Sequence, residues 1–209
     1  LEAGTVNEHN VIATYAKNIL DFVIGTVVAA AWGYMLAMGE HPLSSAFLDG
    51  EQHTAFFFYL CFQATAATIV SGAMAERTAL TGYLCYTCII TAFIYPVVVH
   101  WGWSGTGWFS CFNTLTEDDK KTWEGGLVDF AGSGIVHMCG AAAALAGVLL
   151  LGPRHGKYGP NGQVNPIQGS NMPLATLGMF ILWFGWFGLV CVLVWLIYVS
   201  YTNLRAHET

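Results

Sequence analysis

Five stretches of this chain are each long and apolar enough to cross a lipid bilayer, which takes about 20 mainly apolar residues. They run approximately over Lys17 to Met38, Thr54 to Met74, Ala79 to Val99, Val128 to Leu151 and Pro173 to Val199. Inside hydrocarbon every backbone N–H and C=O must find a partner within the protein, so runs of this length fold as helices. The reading is an all-α, polytopic transmembrane bundle of about five spans, forming a single domain over residues 1–209. Composition closes the alternative of a water-soluble domain. Of 209 residues, 55% are hydrophobic and 10% charged, where a soluble domain carries roughly 25% charged. The net charge of -6 is spread between segments without a basic stripe, which excludes nucleic acid as a partner.

The connectors, such as His41 to Gln52 and Gly152 to Met172, are polar and rich in turn residues. The first eleven residues or so and the last eight read as solvated tails. If the spans alternate, Lys17, Arg77, Arg154 and Lys157 fall on one side of the membrane, and Lys120, Lys121 and Arg205 on the other. The bias of Lys and Arg makes the Arg77 and Arg154 side the expected cytoplasmic one. Cys85 and Cys88 form a C-x-x-C, but inside an apolar run with no second pair they read as packing thiols. No metal site and no cofactor are expected.

Several residues do not belong in an apolar environment. Asp129 opens the fourth span and His137 lies eight residues further on, about 12 Å along a helix at about 1.5 Å per residue. An ionisable group at membrane depth marks a pathway or a relay by default. For His137 the bland alternative is an imidazole bonded between helices. For Asp129 it is a helix cap, since a carboxylate at an N-terminus meets free N–H groups and a favourable dipole. Capping and attraction of a cation are compatible. Gly132, Gly134, Gly140, Gly147 and a run of alanines surround His137, and small residues let membrane helices approach closely. Phe58 and Phe62 stack on one face of the second span, either as packing or as a hydrophobic gate. Trp101, Trp103 and Trp108 follow His100 and suit an interfacial belt, or a ring face that attracts a cation.

The strings AERT from Ala75, YPVVVHWGWSGTGW from Tyr95, DFAGSGIVHM from Asp129, GPRHGKY from Gly152 and LWFGWFG from Leu182 occur in that order. Together they resemble the Amt/MEP ammonium transporter family, over roughly residues 17–188. The resemblance implies roles residue by residue. Phe58 and Phe62 match the paired gate aromatics, Trp103 the tryptophan of an outer recruitment site, Asp129 its supporting acid, and His137 the first of two pore histidines. It also implies ammonium or methylammonium as substrate, about eleven spans in two inverted repeats, a homotrimer of separate pores, and a plasma-membrane location. On that pattern the chain is a partial member. The family's first span is missing before Lys17, the second repeat and its histidine are absent, and residues 189–209 form a divergent tail. A pathway formed between two repeats does not close from one of them, so the chain alone is expected to be inactive. The alternative is an ammonium sensor or regulatory subunit on the same scaffold. A membrane enzyme fits poorly, because no HExxH or GxSxG motif occurs.

Overall fold

The computed structural model describes residues 1–39, 53–111 and 126–206, with side chains described as far as residue 189. Among the described residues there are five long helices: α1 Glu8–Met38, α2 His53–Met74, α3 Leu80–Trp103, α4 Ser133–Leu151 and α5 Met172–Ala206. All five are apolar enough to cross a membrane. The expected all-helical bundle is thus the observed one. The acidic stretch Glu117 to Glu124 and the connector from Glu40 to Gln52 lie outside the described residues.

Helices α1 to α4 form the packed part. The most extensive pairing is α2 on α4, and α1 packs on both α2 and α3. The small residues of α4 make its contact possible: a Cβ on Gly140 would lie 2.9 Å from the carbonyl oxygen of Ala66 and 3.0 Å from the Ile69 side chain. The core is Ala29, Tyr34, Tyr59, Ala66, Val70, Ile90, Tyr95, Val99 and Val136 with their neighbours. Helix α5 is different, with 6% of its described span buried. Phe184 and Trp183 on α5, like Leu149 and Leu150 on α4, project outward and suit a lipid or protein environment.

Three of these helices contain a π turn: Ala29–Gly33 in α1, Ile90–Ile94 in α3 and Ser133–Met138 at the start of α4. In α3 the sequence supplies a reason. Pro96 follows the turn and has no N–H to donate, and a widened turn absorbs the missing bond.

Two expectations need correction. The first residues are not a solvated tail. A short helical turn, Glu2–Thr5, lies against the start of α5, with Ser170 N–H donating to the Val6 carbonyl at 2.8 Å and Asn171 N–H to that of Gly4 at 3.1 Å. Val6 and Ala3 are buried there, so two apolar side chains gain a dry site. The fourth span begins at Ser133 rather than Val128. Gly132 sits at φ +77°, a left-handed conformation that glycine adopts without penalty, and the chain turns there before entering the helix. The 12 Å helical rise estimated between Asp129 and His137 at about 1.5 Å per residue therefore does not apply.

Candidate functional site

The turn at Gly132 explains what Asp129 does locally. Lying four residues ahead of the helix, it folds its carboxylate back onto the free N–H groups of α4. Oδ1 accepts from Ser133 N–H at 2.8 Å, and Oδ2 from Gly134 at 2.9 Å and Ile135 at 2.8 Å. Three of the four orphan donors of a helix start are thereby satisfied, and the negative charge meets the positive end of the helix dipole. Asp129 is 9% exposed. The capping alternative weighed from the sequence is the geometry found.

The main chain of Asp129 has a second task. Its carbonyl accepts the indole N–H of Trp103, from the end of α3, at 2.5 Å. This fixes the indole edge and sets the ring against α2. There the Phe62 ring meets it edge-on, centroids 5.6 Å apart at 79°, and the Phe58 ring lies 6.4 Å away. Phe58 and Phe62 are 4.6 Å apart, as their four-residue spacing on one helical face predicts. Phe58 is about half exposed. The aromatic faces thus form one cluster beside the capped helix start, and faces of this kind attract cations. A concavity of about 410 Å³ opens over Leu127 to Gly134 on the same end of the bundle.

His137 lies in the opening π turn of α4 and is exposed. Its Nδ1 is 3.1 Å from the carbonyl oxygen of Gly132, which also receives the N–H groups of Val136 and His137 at 2.9 Å. A carbonyl only accepts, so Nδ1 carries a proton, and in the neutral ring Nε2 is then the acceptor. The bond is to its own helix, not between helices. His100, by contrast, is tied to α1 through the Ala37 carbonyl at 3.0 Å. All five residues singled out from the sequence (Phe58, Phe62, Trp103, Asp129 and His137) therefore fall at one end of α2, α3 and α4. Among the described residues no group of three or more His, Cys, Asp or Glu side chains could hold a metal ion.

The model of the Ammonium Transporter Family matches residues 1–190. This chain belongs to the ammonium transporter family. The match reaches further toward the N-terminus than the motifs do, in keeping with the packed first residues. The chain is 45% identical to ammonium transporter Amt2 of Archaeoglobus fulgidus over 218 aligned residues, spanning 100% of this chain and 44% of that protein. It is 38% identical to ammonium transporter 1 member 1 of Arabidopsis thaliana, over 89% of this chain and 38% of that one. Among solved structures it resembles a sensor Amt protein with a TM-score of 0.73 and 36% identity, over 90% of this chain and 48% of that chain. The chain thus spans less than half the length of these relatives.

At the opposite end of the bundle lies a polar assembly, in which Lys17, Arg77 and Arg154, placed on one side from the sequence, find partners that the sequence reading did not name. Glu76, at φ 62° just past α2, accepts from Asn7 N–H at 2.7 Å, from the Asn10 side chain at 3.0 Å and from Arg154 at 3.0 Å. Arg77 donates to the Gly152 carbonyl at 2.9 Å. Lys17 pairs with Glu2 and donates to the Ser71 carbonyl at 3.1 Å. Inside α1, Asp21 is 4% exposed and accepts from Thr87 at 2.6 Å. The signal was present in the sequence as a lone acid within an apolar span, one turn after Lys17, but periodicity alone gave it no partner.

Proposed function

We propose that this chain is the part of an ammonium transporter that recruits ammonium and carries the first half of its pathway. The observation that supports this most is the Trp103 indole, held by the Asp129 carbonyl against the Phe58 and Phe62 rings, beside the helix start at which His137 bonds the Gly132 carbonyl. In this reading the Trp103 ring face and nearby main-chain dipoles concentrate a small cation. Asp129 serves the site by building it, because its carboxylate is committed to three N–H groups. The Phe58 and Phe62 pair is the gate. Beyond it a dry passage disfavours the charged form, so ammonium passes its proton to water at the mouth, its N–H electron pair staying on nitrogen, and His137 accepts a hydrogen bond from the ammonia that enters. The protein acts as a channel-like transporter in the plasma membrane and not as an enzyme. Its complete form is a homotrimer, and the chain alone is inactive.

The likeness to a sensor Amt protein supports a second reading, in which the same site binds ammonium to signal rather than to conduct. Methylammonium uptake in cells lacking their own ammonium transporters separates the two. Uptake by this chain joined to a second repeat, lost on His137→Ala, is the expected result. Binding of ammonium without uptake by the joined protein selects the sensor, and uptake by the chain alone overturns the requirement for two repeats.

A further inference from the structure

Asp21 is a carboxyl group buried inside the first apolar helix, about ten residues from the start of its α-helical part at Val11, or about 15 Å along the axis at about 1.5 Å per residue. Counting protons around it is informative. Oδ1 accepts the Thr87 hydroxyl at 2.6 Å. Oδ2 faces the Thr68 hydroxyl at 3.4 Å. That hydroxyl also lies 2.7 Å from the Ala64 carbonyl oxygen, which can only accept, so its single proton is spent there. The contact between Asp21 Oδ2 and Thr68 then holds a proton only if the carboxyl group supplies it. The remaining neighbours compensate a charge only in part. Lys17, one turn away on α1, is committed to Glu2 and the Ser71 carbonyl. Tyr83, on α3, turns its buried hydroxyl toward the carboxyl group without reaching the geometry of a firm hydrogen bond. Helix α2 presents Thr68 and no charged group to it. An ionised carboxylate with one firm donor at this depth is costly.

A route to water lies alongside. A cavity of about 110 Å³ is lined by Thr14, Lys17, Glu76, Thr78 and Tyr83 among others, and Tyr83 both lines it and neighbours Asp21. We propose that Asp21 is a membrane-embedded proton-binding site, held as the neutral acid with its proton directed from Oδ2 to Thr68, and exchanging that proton with water in the Lys17–Tyr83 cavity. The step is simple acid dissociation: the O–H bond of the carboxyl group breaks, the electron pair stays on Oδ2, and the proton passes to a cavity water. The proposal is independent of which solute the protein carries.

Infrared spectroscopy of the purified chain in nanodiscs tests it without any transport assay. At neutral pH the expected spectrum has a protonated-carboxyl band that shifts when aspartate carries carbon-13 and disappears in Asp21→Asn. Absence of such a band, or its survival in Asp21→Asn, overturns the proposal. Should Asp21→Asn fail to fold, Thr68→Ala gives the answer: loss of the acceptor moves the band to higher frequency, and an unmoved band overturns the assignment. On transfer to heavy water the band is expected to exchange, and several-fold more slowly in Tyr83→Trp, whose bulk fills the gap between cavity and acid. A band that never exchanges overturns the cavity route.

Discussion

Among the described residues two aspartates are buried, and their surroundings are opposite. Asp129 sits at the end of a helix and collects three backbone N–H donors. Asp21 sits in the middle of a helix, where every backbone N–H is already used, and collects one short bond from a side-chain hydroxyl. The difference teaches that burial alone says little about a carboxylate in a membrane protein. A helix start offers free donors and a favourable dipole. A helix interior offers neither, so a carboxyl group there must rely on side chains or carry its own proton.

The comparison can be broken most directly at Asp129. Replacing it with alanine strands three N–H groups, and at roughly 1–3 kcal/mol for each buried group left unsatisfied the bundle is expected to lose at least about 3 kcal/mol. Thermal unfolding in detergent would report it as a large fall in midpoint, and uptake by the completed transporter is expected to vanish with it. A variant as stable as the parent would show that the three bonds do not hold the start of α4.

Next in size is Thr87→Val, which removes the one short donor to Asp21. A loss of about 1–2 kcal/mol is expected, in the range of a buried hydrogen-bond partner left unmatched. The same unfolding experiment applies, and an unchanged midpoint would mean that Asp21 has another firm donor.

Trp103→Phe should cost about 1–2 kcal/mol, because the N–H to the Asp129 carbonyl is lost together with part of the packing of the larger indole. Uptake at low methylammonium concentration is the sharper readout. It is expected to fall several-fold, since the untethered ring is no longer fixed against Phe58 and Phe62. Uptake equal to the parent's would separate Trp103 from recruitment.

The smallest effect is expected for Asp21→Asn, within about 1 kcal/mol of the parent, because the amide has the shape of the neutral acid and keeps an acceptor for Thr87 and a donor for Thr68. Asp129→Asn provides the contrast in the same assay. An amide offers its N–H groups one oxygen rather than two, so the loss there should clearly exceed that at Asp21. Equal losses at the two positions would erase the distinction between them.

Much of this was legible in the chain. Length and apolarity of five runs required helices, because lipid leaves a backbone no other partner. The aromatic pair Phe58 and Phe62 followed from the pitch of a helix, and the motif strings around Trp103, Asp129 and His137 marked one neighbourhood, which the fold then brought to one end of three helices. Helical rise misled only where the chain was not yet helical, between Asp129 and Ser133.

What the sequence by itself determined, then, was the class of solvent, the secondary structure and the residues worth watching. Tertiary structure alone decided which protons and charges those residues face. The bond from Trp103 to a main-chain carbonyl 26 residues away, the pairing of Lys17 with Glu2, and the Thr68 and Thr87 hydroxyls around Asp21 are all contacts between segments. A hydrogen bond needs placement within a few tenths of an ångström. Sequence spacing supplies that along one helix, but packing supplies it between helices.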